Sequence, residues 1–178
     1  MEATYIETQQ ISFQDFKNQI LEDYKLGRIS REMSYLGRRE VLTGKAKFGI
    51  FGDGKELPQL AMAKVFKKGD FRSGYYRDQT FAMAINAVSV ESFFAQLYAD
   101  TSVEREPASA GRQMNGHYAT RSLNEDGSWK NLMQQKNISS DISPTAGQMP
   151  RLLGLAMASK VYKSVKFEGS EKFSNEGN

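Results

Sequence analysis

Three short segments hold the residue types best suited to chemistry. Tyr75-Tyr76-Arg77-Asp78 sets a guanidinium beside two phenol hydroxyls. An Arg fork grips a phosphate through two parallel hydrogen bonds, and a hydroxyl adds a further donor. The plainer alternative is a surface Arg77 paired with Asp78. Gly111-Arg112-Gln113-Met114-Asn115-Gly116-His117-Tyr118 contains the sequence's one histidine. A single His is more often structural, but its polar, glycine-bearing surroundings point toward a site. Ser143-Pro144-Thr145-Ala146-Gly147-Gln148-Met149-Pro150 runs into a helix start. Free backbone N–H groups there suit an anion or the edge of a cofactor ring, and the alternative is an ordinary capped entrance.

Two glycine motifs carry less. Gly49, Gly54 and Lys55 have the spacing of a phosphate-binding loop. Glu56 then stands where Ser or Thr must hold magnesium, and Pro58 sits where the helix should begin. Gly52-Asp53-Gly54 is similar to the start of a thiamin diphosphate metal signature. Asn86 lies 33 positions after Asp53, slightly too far, so a tight turn is the reading.

The elements that must position these segments are mostly helices. Ser12 with Asp15 forms a capping pair, and Phe13, Phe16, Ile20 and Tyr24 recur at helical spacing up to Gly27. A second helix is expected from Ser30, carrying Met33, Leu36 and Leu42. Residues 43–55 read as loop. A helix over about 56–68 is closed by Lys67-Lys68-Gly69-Asp70. Val90, Phe93, Phe94 and Leu97 define an amphipathic helix after the cap residue Ser89. Residues 101–140 hold 11 apolar residues in 40, with no period. An ordered loop of that length is usually functional. Met149, Leu152, Leu153, Ala156 and Met157 mark a last helix with Pro150 in its first turn. Residues 1–11 read as loose and polar, and 163–178 as a polar tail. No buried strand is evident, so the chain is expected to be part of a larger α/β assembly whose strands lie elsewhere.

Composition narrows the classes. The 178 residues carry 24 Lys and Arg, 21 Asp and Glu, and no Cys. Disulfides, thiolate nucleophiles, iron–sulfur clusters and zinc fingers are excluded, and one His excludes a His-rich zinc site. A net charge of +3 is too small to argue for nucleic acid. No run approaches the apolar length of a membrane helix. Met1 to Thr8 has neither a basic nor an apolar signal region, so no signal peptide is read and the cytoplasm is the expected compartment.

Taken in order, the three segments resemble one family. The chain is similar to the alpha-type part of the thiamin diphosphate-dependent decarboxylating component of 2-oxo acid dehydrogenases, of the branched-chain and pyruvate type. Tyr76-Arg77-Asp78, Gly111 to His117, and Ser143 to Pro150 carry the resemblance, which covers roughly residues 30–162. It implies that Tyr76 and Arg77 hold the diphosphate. Ser143 and the backbone of Thr145 would contact the cofactor near its aminopyrimidine. His117 would face the reacting carbon, and Phe48 and Met114 would line the 2-oxo acid pocket. Thr145 stands where members usually carry an aliphatic residue, and Gly147 where Ser or Thr is common. The family's magnesium-binding Asp and Asn follow the helix after Pro150 and the next strand, so the resemblance puts the Mg2+ ligands beyond residue 178 and none within it. The stretch Ser122 to Trp129 looks like the bacterial branch that fuses alpha-type and beta-type parts.

The implied fold is α/β: a helix-rich N-terminal fragment of the three-layer thiamin diphosphate fold, with the core strands largely missing. Residues 1–178 form one partial domain, in which 101–140 is a long active-site loop. The implied partners are a 2-oxo acid, a beta-type subunit or domain and a lipoyl-bearing acyltransferase, within a homo- or hetero-oligomer. Neither nucleic acid nor membrane is expected to bind. The segment alone is expected to be inactive. The rival readings are a non-catalytic assembly domain derived from this family and a basic RNA-binding domain. The second lacks an aromatic and basic ladder.

Overall fold

The computed structural model describes residues 11–165 and 167–174. The expected loose segment 1–11 lies, but for Ile11, outside the described residues, as do 166 and 175–178 of the expected tail.

Helix α1 (Phe13–Leu42) runs unbroken for 30 residues. Two helices were expected, parted near Gly27. A mid-helix glycine costs only about 1 kcal/mol, and packing outweighs it here: Gly27 lies against Leu60 of helix α2 (Glu56–Val65). The start is as read, with Asp15 N–H donating to Ser12 Oγ at 3.1 Å. Helix α2 ends three residues earlier than expected. Its end is followed by a turn in which Lys67 N–H donates to Asp70 Oδ2 at 2.7 Å.

Helices α2, α3 (Gln79–Ala84) and α4 (Val90–Leu97) pack against α1. Helix α3 has no counterpart in the sequence reading, because six residues are too few to display a period. Helix α4 opens with the expected Ser89 cap, in a reciprocal box with Ser92. Two apolar clusters form the core. One joins Phe81, Ala82 and Ile85 to Ala63, Tyr118 and Ile138. The other joins Met33, Met83 and Phe93, with Phe51 against it.

The fold is helix-rich with one small sheet. Strand β1 (Phe71–Arg72) pairs in parallel with β2 (Asn137–Ile138), so residues 66 positions apart become neighbours. Each strand has only two residues, below what an alternation pattern can reveal. The stretch 101–140 is therefore not bare loop. It carries an antiparallel bridge from Leu123 to Trp129, a 3-10 turn at Leu132–Gln134, and β2. Helix α5 (Gln148–Ser164) includes Pro150 in its first turn, as read. The expected tail is partly structured as well. Phe173 packs on Trp129 and Tyr162, at ring separations of 5.1 and 4.9 Å, partners that no local pattern announces.

Helix α5 has no buried residue, and Met149, Leu152, Leu153 and Met157 stand exposed along it. Among the described residues no helix is long and apolar enough to cross a membrane.

Candidate functional site

The three chemistry-bearing segments converge. Strand β1 leads into residues 73–78, and strand β2 beside it leads into 139–147. The parallel pairing therefore delivers both loops to one side of the sheet. Residues 111–118 pack against both. Gly116 has φ of 84°, and a Cβ there would lie 2.6 Å from the Tyr76 carbonyl oxygen. The loop can approach Tyr76 this closely only because it has no side chain at that point.

His117 is buried and has two side-chain contacts. Its Nδ1 lies 2.9 Å from the Met114 carbonyl oxygen, and its Nε2 lies 2.7 Å from Ser143 Oγ. A carbonyl only accepts, so Nδ1 carries the proton. In the neutral ring Nε2 then accepts from the Ser143 hydroxyl. Gln96 fixes the backbone of His117, its amide donating to the His117 carbonyl at 3.0 Å and accepting from the His117 N–H at 3.2 Å.

The Tyr75 and Tyr76 rings lie 3.9 Å apart, tilted by 35°, and the Tyr75 hydroxyl donates to that of Tyr76. Tyr75 Oη also lies 3.5 Å from Thr145 Oγ1. Thr145, then Tyr76, draw the Tyr75 phenol below its usual pKa, whereas the bond from Tyr75 pushes the Tyr76 phenol up. At 3.5 Å the Thr145 contact is long, so the bond between the phenols is the firmer cause. The Arg77 guanidinium stands over both rings, 5.9 and 5.5 Å from their centroids. Among the described residues it has no carboxylate partner. Asp78, the partner that the plainer reading assigns to it, is bonded to Arg72 instead. Arg77 is thus a cation held by aromatic faces and not cancelled by an acid.

Ser143 and Thr145 are exposed at the entrance to α5, whose cap residue Gly147 offers no side-chain bond. Ala146 just before it holds φ of 66°, a left-handed conformation that side chains other than glycine seldom adopt. Met114 and Phe48 are each 48% exposed. Phe48 belongs to the 48–52 segment, which is tied to the 111–118 loop two residues on. There Asn115 accepts from the Ile50 N–H at 3.1 Å and donates to the Ile50 carbonyl at 3.0 Å.

Several residues that hold this site escaped the sequence reading. Gln79 is buried and donates to Ser30 and Ser34 of α1, while its oxygen accepts from Gly52 N–H. Gln59 of α2 donates to the Arg77 carbonyl at 3.1 Å and accepts from Phe81 N–H at 3.0 Å. Glu106 turns its buried carboxylate onto the N–H groups of Ala108, Ser109 and Gly111, shaping the approach to the His117 loop. A buried polar residue looks like a surface one in a sequence. The signal that existed was polar side chains on otherwise apolar helix faces.

Among the described residues no cluster of His, Asp and Glu is placed to hold a metal ion. No protein-family profile matches this chain, and no curated protein matches it.

Proposed function

We propose that the chain is the alpha-type part of a thiamin diphosphate-dependent 2-oxo acid dehydrogenase, which decarboxylates a 2-oxo acid and passes the acyl group to a lipoyl arm. One observation carries the reading. Three segments remote in sequence meet with an uncancelled guanidinium, two phenols, two exposed hydroxyls and an imidazole around one site. That donor set fits a diphosphate with an aromatic ring beside it.

Tyr76 and Arg77 would hold the diphosphate, with Ser143 and Thr145 contacting the remainder of thiamin diphosphate. When bound, the cofactor supplies the carbon nucleophile and the electron sink for decarboxylation. The chain's own residues orient and neutralise. The Met114 carbonyl keeps the His117 proton on Nδ1, so Nε2 is the nitrogen free to exchange its Ser143 bond for one to substrate. Met114 and Phe48 would line the 2-oxo acid pocket. Mg2+ would come with ligands from outside these residues.

The exposed apolar face of α5 supports assembly with a beta-type part, in a homo- or hetero-oligomer that a lipoyl-bearing acyltransferase visits in the cytoplasm. The rival is a non-catalytic assembly domain, which the same face would serve. The two differ in the cofactor. Titration of the assembled, full-length protein with thiamin diphosphate and magnesium, followed by calorimetry, is expected to show saturable binding. Arg77→Ala should weaken it by about 2–4 kcal/mol, the usual loss on removing a charged bidentate partner. Equal affinity in the variant would remove Arg77 from the site and favour the assembly reading.

A further inference from the structure

Beneath the site lies an ionic cluster to which the proposed function gives no role. Arg72 of β1 is only 8% exposed, yet it is a full cation. Its Nη1 donates to Asp141 Oδ1 at 3.2 Å. Its Nη2 reaches Asp78 and the Tyr75 carbonyl. Asp141 is the more deeply enclosed acid, with no side-chain exposure. Its second oxygen accepts from the Tyr118 N–H at 3.3 Å, and its own N–H donates to the Tyr118 carbonyl at 3.3 Å.

Burying charge is expensive and is tolerated only where partners satisfy it. Replacing such a cluster with apolar side chains is often neutral or stabilising, so its presence calls for a reason other than stability. The topology supplies one. Asp141 clasps residue 118, next to His117, and stands two positions before Ser143. The Nε2 to Ser143 contact therefore spans two segments that Asp141 fastens together. Arg72 carries the same fastening to Tyr75 and Asp78.

We propose that Asp141, anchored by Arg72, is a positioning residue that acts through Ser143 to set the hydrogen bonding of the His117 imidazole. The fastening stands on geometry alone, whereas its value to catalysis rests on the function proposed above. Asp141 is a sound lever for a test. Asn in its place leaves Arg72 with Asp78, one cation to one anion. It also cannot accept from both Arg72 and Tyr118 on separate atoms, because one of its two polar atoms is a donor.

The test uses the histidine as its own reporter, since the sequence has only one. Tag-free, nitrogen-15-labelled chain is examined by long-range proton–nitrogen correlation at about pH 9, well above the ordinary imidazole range. The wild type should show one neutral tautomer, protonated at Nδ1. Ser143→Ala removes the Nε2 partner and should displace the Nε2 resonance while Nδ1 stays protonated. Asp141→Asn should displace Nε2 in the same direction, in a variant whose cooperative thermal melt shows that it is folded. Loss of stability alone does not move a folded-state resonance. An Asp141→Asn spectrum that superimposes on the wild type overturns the proposal. Should that variant not fold, Arg72→Lys, which keeps the charge and loses the fork, is measured with the same two outcomes. No cofactor is present, so a failure here is separate from a failure of the thiamin diphosphate reading.

Discussion

His117 has one nitrogen committed and one available. The Met114 carbonyl takes Nδ1–H, and a hydroxyl that can rotate away occupies Nε2. Under the function proposed above, a ring already oriented this way would need only that hydroxyl to turn before meeting the reacting group. If the chain is part of the enzyme proposed above, His117→Ala should lower kcat of the assembled protein by roughly 10²–10³ with cofactor affinity nearly intact. Steady-state kinetics and a parallel binding titration check this, and wild-type turnover would return His117 to a structural role. His117 and Arg77 were legible because their residue types stand out in polar, glycine-bearing stretches. Asp141 was not. It reads as one more polar residue of a Ser-Ser-Asp run, and only its burial against Arg72 distinguishes it.

The long α1 carries the frame, and the segment 48–54 folds back onto it toward the site. Gly52 makes the closest approach on that path. A Cβ there would lie 2.2 Å from the Arg77 carbonyl oxygen, a backbone atom held by Gln59. Gly52→Ala must therefore displace the element that carries Tyr76 and Arg77. A loss of about 1–3 kcal/mol of stability is expected from the crowding, together with weaker diphosphate binding. Thermal melting and calorimetric titration of the one variant test both parts, and a melt at the wild-type temperature would contradict the close packing. Helices α4 and α5 were legible because each shows several apolar residues at 3.6 spacing after a recognisable start. The merging of two expected helices into α1 was not, since Gly27 and the cap-like Ser30 mimic a boundary. Ser30 is in fact buried and bonded to Thr80 and Gln79.

At the scale of the whole molecule, two ion pairs among the described residues join α1 to α2: Lys64 meets Asp23 at 2.7 Å, and Arg31 meets Glu56 through a two-point contact at 2.6 and 2.7 Å. The Arg31 bond holds the Glu56 carboxyl below its ordinary value of 4.5. A carboxylate with a lowered folded-state pKa stabilises fully above its unfolded value and loses that contribution as pH falls through the folded one. Glu56→Gln should therefore cost most stability above about pH 4.5, with the gap to wild type closing on further acidification. Denaturant unfolding at a series of pH values measures the gap, and a constant difference would mean that the charge contributes nothing. Local sequence by itself determined helices α4 and α5, the caps at Ser12 and Ser89 and three stretches suited to anion and imidazole chemistry, because each depends on residues within a turn or two of one another. Only the tertiary structure decided that Arg77 goes without Asp78, that Ser143 meets His117, and that two-residue strands bring these loops together. Those contacts join residues up to 66 positions apart, and their polar partners acquire meaning only through burial, which no local pattern records.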